Sequence, residues 1–256
     1  MNAQNKIALI TGGSRGLGRD MAINLAKKGI DVVITYHRNQ EAAESVVAEI
    51  ESKGRKAAAL QLDVADQFGY ATFFADRLLP LLKESFGTPA LDFLINNAGT
   101  GLMAPFTEDI EVSHVDELIN VHFKAGYFFT HQALGYLNHG GGIVHISSGL
   151  TRIINPGYAA YASMKGALEV LTKYQAKELA GRRIRVNIVA PGAIETDFGD
   201  GVVRDIKEVN DHIASLTALG RVGLPNDIGP VVAFLCTEEA YWINGQRIEV
   251  SGGQQL

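Results

Sequence analysis

The chain has only one cysteine, Cys236, among its 256 residues. One thiol cannot form an internal disulfide, and chains without disulfides are typical of a reducing compartment. No apolar run approaches the roughly 20 residues of a membrane-spanning helix. The N-terminal sequence MNAQNKIALITGG also lacks the basic and apolar regions of a signal peptide. We therefore expect a cytoplasmic protein, with Cys236 as a small buried side chain in VVAFLC.

Long blocks of like charge are also missing, and the net charge is −5 at pH 7. This argues against nucleic acid or an anionic membrane as the main partner and favours a small molecule. The seven histidines show no HExxH or other metal-binding spacing, so we expect no metal site. A GxSxG sequence, which would indicate a serine hydrolase, is absent too. Without repeats or a Pro/Gly-rich linker, the chain is predicted to form one domain over residues 1–256.

Short β-branched runs alternate with longer helical patterns through most of the chain. The predicted strands are KIALITG, IDVVITYH, KAAALQLDV, LDFLINNAG, GGIVHISS, RIRVNIVAPG and QRIEVSGG. Helices are predicted between them, among others over 66–84, 113–137 and 158–179, and 193–219 is read as a loop with at most one helix. Strands separated by helices of this length indicate βαβ units. We predict a doubly wound, Rossmann-type α/β fold with about seven parallel strands and helices on both faces.

A glycine-rich sequence, TGGSRGLG, lies between the first predicted strand and the first helix. In a doubly wound fold this turn brings backbone N–H groups and a helix N-terminus against a pyrophosphate. Gly12 suits the tight turn, and Gly16 and Gly18 suit a close backbone approach. The alternative is a purely structural turn. The strand before it and the helix after it favour a dinucleotide site.

The end of the second strand indicates which dinucleotide binds. An acidic residue commonly holds the ribose 2′-OH of NAD there, but this strand ends in ITYHRN, with Tyr36 and then Arg38. Arg15 lies inside the glycine loop. Two guanidinium groups and no carboxylate suit a 2′-phosphate, so we predict NADP(H) rather than NAD(H). Taken singly, each arginine is equally consistent with a solvated surface charge.

The sequence YASMK places Tyr161 and Lys165 four residues apart, near the start of a predicted apolar helix. Side chains at this spacing lie above one another on the same helical face. Either Lys165 reaches past the apolar surface to water, or the pair takes part in proton chemistry. An adjacent cation would favour the phenolate and lower the pKa of Tyr161.

TGGSRGLG, NNAG, YASMK and PGAIET occur in an order that resembles the short-chain dehydrogenase/reductase family in its single-domain form. The resemblance covers the whole chain. It implies that Tyr161 exchanges a proton with the substrate oxygen while the nicotinamide transfers a hydride, and that Lys165 tunes the tyrosine and holds the nicotinamide ribose. Tyr158 is followed four residues later by Ala162, so it does not fit the motif.

Two further catalytic positions follow from the resemblance. The family serine holds the substrate carbonyl, and HISSG offers Ser147 and Ser148; the spacing to Tyr161 favours Ser148. The family asparagine of the preceding long helix is replaced, because INVHFKAGYFF places His122 at that position and Asn120 fits only after a shift of two residues. We predict that His122 relays protons there, with packing in a helix interface as the alternative.

The resemblance also implies the remaining cofactor contacts, in the glycine loop, after the third and fourth strands and after the sixth. The predicted cofactor-binding residues are Gly12, Ser14, Arg15, Gly16, Leu17, Gly18, Tyr36, Arg38, Asp63, Val64, Asn97, Ala98, Gly99, Tyr161, Lys165, Pro191, Gly192, Ile194 and Thr196. Leu150, Ile153, Tyr158 and residues 193–203 are expected to border the substrate pocket. Family members are commonly homotetramers, through the two long helices predicted at 113–137 and 158–179.

We therefore predict an NADP(H)-dependent oxidoreductase that interconverts a ketone or aldehyde and an alcohol, working mainly as a carbonyl reductase. Its substrate is left open among 3-oxoacyl thioesters, small ketones, sugars and polycyclic alcohols. The alternative function is a non-catalytic NADP(H)-binding sensor or scaffold. Turnover of NADPH with carbonyl compounds separates the two.

Overall fold

A computed structural model of the protein describes residues 5–101 and 103–256. Seven strands form one sheet in the order β3-β2-β1-β4-β5-β6-β7, and every neighbouring pair is parallel. The strands are β1 Ile7–Ile10, β2 Asp31–Tyr36, β3 Ala57–Gln61, β4 Leu91–Asn96, β5 Leu137–Ile146, β6 Arg185–Pro191 and β7 Arg247–Val250. The predicted doubly wound parallel sheet is confirmed. The predicted domain includes residues 1–4 and 102, which lie outside the described residues.

Helices connect the strands and cover the sheet. They are α1 Gly16–Lys27, α2 Gln40–Glu51, α3 over 70–86, α4 over 112–133, α5 Ala159–Glu178, α6 Val202–Asp205, α7 Lys207–Ser215 and α8 Pro225–Leu235. Within residues 5–101 and 103–256, no helix combines the length and the apolar character that crossing a membrane requires.

Two apolar clusters show that both faces of the sheet are covered. Ala8 and Ile10 of β1 belong to a cluster that includes residues of α1 and α8. Ile7 and Leu9 of the same strand belong to a second cluster that includes residues of α3, α4 and α5. Successive side chains of a strand point to opposite faces, so the clusters lie on opposite sides of the sheet. This double burial explains why the strands are apolar throughout.

Three features differ from the sequence prediction: one helix boundary, the number of helices in one segment, and one helix that was not predicted. α4 stops at 133 rather than 137, because Leu137 already pairs with Leu91 of β4 as the first residue of β5. The segment predicted as a loop with at most one helix contains two, α6 and α7. α8 was not predicted and carries an internal proline, Pro230. Pairing and packing decided these elements, since local propensity is readily overridden by tertiary context.

Candidate active site

The predicted site residues follow the carboxyl ends of the central strands. The strand order reverses between β1 and β4, and ligands of doubly wound sheets bind in the crevice outside such a reversal. The glycine loop follows β1, the NNAG sequence ends β4, Ser148 follows β5 and PGAIET follows β6. The topology therefore brings segments that are distant in sequence to one edge of the sheet.

The glycine loop has the geometry of an anion cradle. Gly12 and Gly16 have φ angles of +67° and +53°, a conformation that side chains other than glycine rarely adopt. A Cβ atom at Gly18 would lie 2.1 Å from the Gly12 carbonyl oxygen. The Arg15 side chain at the N-cap of α1 makes no capping hydrogen bond. The N–H groups of the first turn can therefore bind a pyrophosphate.

A hydrogen-bonded brace holds this loop against the end of β4. Asn97 Nδ2 donates to the carbonyl oxygens of Thr11, at 2.9 Å, and Gly12, at 3.0 Å. Thr11 Oγ1 accepts in return from the backbone N–H groups of Asn97 and Ala98, both at 3.0 Å. Asn97 is predicted to line the cofactor ribose, and its amide group also shapes the loop. Thr11 was not predicted, although it directly precedes the glycines.

The end of β2 carries no carboxylate. Tyr36 ends the strand, and Arg38 beyond it is exposed. The Arg15 side chain is 74% exposed, and its Nη1 lies 3.7 Å from Asp197 Oδ2. Asp63, after β3, lies 3.6 Å from the imidazole of His37. Two accessible guanidinium groups beside an uncharged strand end fit a 2′-phosphate better than a ribose 2′-hydroxyl.

Tyr161 and Lys165 are buried in the first turns of α5, with 6% and 4% of their surface exposed. Lys165 Nζ donates to the carbonyl oxygen of Ile146 at 2.8 Å and lies 5.6 Å from the centroid of the tyrosine ring. The helical spacing therefore places ammonium and phenol side by side, as predicted. Lys165 does not reach solvent, which removes one of the two readings of the motif.

The pKa values of the pair differ from the expectation. Burial raises the pKa of the Tyr161 phenol above its ordinary value; a hydrogen bond with the Ser148 hydroxyl lowers this pKa in part, and Tyr158 raises it. Burial also lowers the pKa of Lys165 to about 7. The prediction of a lowered tyrosine pKa is wrong for this structure, because desolvation of the phenolate is the largest influence on this pKa. At neutral pH the phenol is protonated, as a proton donor must be.

The two adjacent serines have different surroundings. Ser147 is buried, and its hydroxyl donates to Glu169 Oε1 at 2.6 Å. Ser148 ends the extended segment after β5, its Oγ accepts from Leu150 N at 3.2 Å, and its hydroxyl lies close enough to the Tyr161 phenol to lower the pKa of that phenol. Strand alternation sends the two side chains in opposite directions. Ser148 is therefore the serine that the structure brings to the tyrosine.

His122 lies against Tyr161 in an edge-to-face arrangement, with 5.0 Å between the ring centroids. The imidazole is buried, and its Nε2 lies 2.7 Å from the carbonyl oxygen of Thr100, so Nε2 carries the proton and donates. Asn120, the alternative in the sequence, instead accepts from Lys124 Nζ at 2.8 Å. The wide π-type turns of α4 over Ile119–Phe129 include both residues, a feature frequent at functional sites.

His122 Nδ1 is buried and has no hydrogen-bond partner among the described residues. A cavity of about 10 Å³ is lined by His122 and Lys165, together with Thr11 and Asn96. This volume is near the lower limit for one water molecule. Burial, with a contribution from the charge of Lys165, holds the pKa of His122 well below its ordinary value. The neutral imidazole therefore presents an acceptor nitrogen in the same buried region as the lysine.

The segment after β6 crosses the glycine loop and reaches the tyrosine. Gly192 N donates to Val250 O at 3.0 Å, and Ile194 forms a bridge with Gly223. Thr196 lies so close to the glycine loop that a Cβ atom at Gly16 would be 3.7 Å from its Cγ2. Of the predicted nicotinamide-side residues, Thr196 thus lies against the glycine loop, and Phe198, two residues further along the chain, packs on the Tyr161 ring.

Known proteins resemble this chain over its whole length. A sequence family described as enoyl-(acyl carrier protein) reductase matches residues 12–255. Hydroxynaphthalene reductase-like protein Arp2 of Metarhizium majus is 34% identical over 97% of this chain and 94% of its own. Versicolorin reductase stcU of Emericella nidulans is 35% identical over 97% and 95%.

Solved structures agree with these relatives. The promiscuous reductase LugOII, which catalyses keto-reduction at C1 during lugdunomycin biosynthesis, has a TM-score of 0.92 and 39% identity over 100% of both chains. The angucycline C-6 ketoreductase LanV with bound NADP has a TM-score of 0.91 and 38% identity over 98% of this chain and 95% of its own. A short-chain dehydrogenase/reductase of Serratia marcescens has a TM-score of 0.87 and 32% identity over 99% of both chains.

Proposed function

Because the chain belongs to the short-chain dehydrogenase/reductase family, we propose that it is an NADPH-dependent reductase of ketones carried on fused aromatic rings. The observation that carries the proposal is the buried, protonated Tyr161 beside Ser148, at the strand ends next to a glycine loop. The chain is an NADP(H)-dependent carbonyl reductase, as are its ketoreductase relatives. Its protonated phenol suits the reductive direction.

The residues of this chain have separate roles in the proposed reaction. Bound NADPH supplies the hydride that reduces the carbonyl carbon. Tyr161 donates the proton that the carbonyl oxygen takes up, and the Ser148 hydroxyl donates a hydrogen bond that stabilises the negative charge developing there. Lys165 holds the nicotinamide ribose, and its ammonium, with a pKa of about 7, can return a proton toward the tyrosine near neutral pH.

The cofactor contacts that we propose are those predicted from the sequence, and the Asn97 side chain also braces the loop. The α1 N-terminus and the loop glycines would hold the pyrophosphate, and Arg15 and Arg38 the 2′-phosphate. Asp63 and Val64 would contact the adenine, and residues 191–196 the nicotinamide. The cradle at Gly18, which a Cβ atom would fill, fits this group.

Replacing Arg38 with Ala is expected to weaken NADPH binding by about 10- to 100-fold, because a charge-assisted hydrogen bond to phosphate is lost. NADH lacks the 2′-phosphate, so its dissociation constant should stay the same. Both constants can be measured by titrating the quench of protein fluorescence. Lys83→Ala, an exposed basic residue at the end of α3, is the control. Equal weakening of NADPH and NADH would contradict the assignment.

We propose that His122 takes the place of the family asparagine and relays protons through a water in the small cavity beside Lys165. The partnerless Nδ1 supports this role. His122→Ala is expected to lower kcat by about 2- to 12-fold, since one buried hydrogen bond is lost, and to change the pH–rate profile. His122→Asn should restore both. An unchanged profile and turnover in the alanine variant would show that His122 only packs the helix.

The proposed substrate class has two supports. LanV has been crystallised with NADP and rabelomycin, and other relatives are named for versicolorin and hydroxynaphthalene, which are fused aromatic compounds. In this chain, Phe198 is 41% exposed and packs on the Tyr161 ring, and the exposed Met103 lies beside Gly157, just before α5. A flat, apolar ketone bound at Tyr161 would cover these apolar side chains.

The test is NADPH oxidation with a panel of carbonyl compounds under identical conditions. The panel contains α-tetralone as a benzene-fused ketone, decalone as its saturated counterpart, acetoacetyl-CoA as a 3-oxoacyl thioester, and a sugar. We expect the highest kcat/KM for α-tetralone. A preference for the thioester would overturn the substrate class. Binding of NADPH without oxidation by any compound would favour the sensor or scaffold.

We also propose that the protein is a cytoplasmic homotetramer in which residues 1–256 act as one domain. Tyr127 and Phe128 on α4, and Val170 and Tyr174 on α5, expose 46–64% of their surface. This apolar surface supports association through these two helices. The lone, buried Cys236 agrees with a reducing compartment. Light scattering of the purified protein should give the mass of four chains, and a monomer at micromolar concentration would contradict the proposal.

A further inference from the structure

Phe198 covers the catalytic phenol. Its ring centroid lies 5.6 Å from that of Tyr161, at an interplanar angle of 56°. On another side the ring meets Gly101, where a Cβ atom would lie 2.9 Å from the Phe198 Cζ. The ring therefore occupies the space between the segment after β4 and the tyrosine, where a substrate carbonyl must approach. Tyr161 is 6% exposed and Phe198 41% exposed, so part of the ring is available to a second apolar surface.

Phe198 is preceded by a residue held by ion pairs and followed by a turn with three positive φ angles. Asp197 before it pairs with Arg204 and lies 3.7 Å from Arg15 of the glycine loop. After it, Gly199, Asp200 and Gly201 all have positive φ angles, of +60°, +57° and +74°. This conformation is unfavourable for Asp200, whereas the glycines allow a wide range of backbone angles. Phe198 thus lies between a charged anchor and a flexible turn.

We propose that Phe198 is the residue that selects flat aromatic ketones. In this structure the ring packs on Tyr161 in the place where the ketone-bearing ring of the substrate would lie. A substrate must displace it, and this removes the aromatic contact with Tyr161. A flat aromatic substrate replaces that contact by packing on the displaced Phe198 ring, and a saturated ketone replaces less of it. The inference rests on the proposed function of Tyr161 as the proton donor.

The test compares Phe198→Leu, which keeps an apolar side chain without the ring, with Phe198→Tyr, which keeps the ring. The substrates are α-tetralone and decalone, which share a bicyclic skeleton and differ in aromaticity. We expect the leucine variant to lower the KM of decalone by about 2- to 12-fold, the range of an aromatic pair, because its binding no longer breaks the contact with Tyr161. The KM of α-tetralone, which replaces that contact in the parent protein, and both kcat values should change less than about twofold, and the tyrosine variant should resemble the parent protein.

Two further variants make the result specific. Gly101→Ala would place a Cβ atom against the Phe198 ring and displace the ring from Tyr161, so it should lower the KM of both ketones and keep the preference for α-tetralone, because the ring is still present to pack on the substrate. Gly101 has no positive φ angle, so alanine is compatible with the backbone there. Phe68→Leu, at a 98% exposed phenylalanine after β3, is the matched control and should change neither constant.

The outcomes separate this inference from the proposed function. If the parent protein reduces no ketone, the proposed function fails, and calorimetric titration of the NADP⁺ complex with 2-naphthol and its saturated counterpart decahydro-2-naphthol still tests Phe198. A preference of the parent for 2-naphthol that is smaller in Phe198→Leu would support the aromatic contact. An equal preference in both proteins, or no binding of either alcohol, would overturn it. If the parent reduces both ketones and Phe198→Leu changes their KM values equally, Phe198 only supports Tyr161 and selects nothing.

Discussion

Replacing Tyr161 with Phe is expected to lower kcat for carbonyl reduction by about 10²- to 10⁴-fold, the usual contribution of a positioned acid or base. The substitution removes one hydroxyl and leaves the ring in its contacts with His122 and Phe198. NADPH binding should stay within about twofold of the parent, since the phenol contributes no charge to it at neutral pH. Single-turnover oxidation of NADPH, followed by absorbance, measures the chemical step directly.

Tyr158 provides the matched control for this experiment. It lies at the N-cap of α5, three residues before Tyr161, and close enough to raise the pKa of the catalytic phenol. Tyr158→Phe therefore removes a neighbouring hydroxyl without removing the proton donor. We expect it to retain kcat within about tenfold of the parent. If Tyr158→Phe is the inactive variant and Tyr161→Phe turns over at the parent rate, the assignment of the proton donor is wrong.

Replacing Ser148 with Ala is expected to lower kcat by about 10²- to 10³-fold, which is the cost of removing one donor to a developing oxyanion. The same hydroxyl lowers the pKa of the Tyr161 phenol. Its loss should therefore raise the pKa of Tyr161 further and leave the carbonyl oxygen without a second donor. Steady-state kinetics at saturating NADPH measure the effect on kcat, and the folded state is checked by circular dichroism.

Ser147 is the adjacent control, and its substitution should give the opposite pattern. Its hydroxyl bonds Glu169 Oε1, which also accepts from Thr151 Oγ1 at 2.8 Å and Arg247 Nε at 2.8 Å. Ser147→Ala should cost about 1.5–3 kcal/mol of unfolding free energy, as expected for a hydrogen bond to a charged group, and should largely preserve kcat. Urea unfolding measures this cost. A large loss of kcat in Ser147→Ala alone would exchange the two roles.

The fold and the central motif of the site could be read from local sequence. Strand and helix lengths follow from the alternation of apolar patterns, and the confirmed parallel sheet follows from those lengths. Helical geometry alone places Lys165 next to Tyr161, because four residues make about one turn. The positive φ of Gly12 follows from the turn between β1 and α1. These features depend on residues close together in the chain.

Other features depend on residues that are far apart in sequence. The raised pKa of Tyr161 comes from burial by several segments, so the spacing to Lys165 could not predict it. The brace from Asn97 to the glycine loop joins positions 85 residues apart. The start of β5 at Leu137 depends on its pairing with Leu91. In each case the deciding neighbour is supplied by the packed sheet.

The sequence by itself thus determined which chemical groups this protein carries and which of them are neighbours along the chain. It could do so because the backbone geometry over a few residues is set by those residues themselves. Only the tertiary structure decided that the imidazole of His122, already favoured by the sequence over Asn120, packs edge-to-face on Tyr161, and that Phe198 covers the phenol. Desolvation and contact between distant segments arise only when the sheet brings the segments together. For that reason the proton state of the tyrosine and the selection of its substrate are properties of the folded chain.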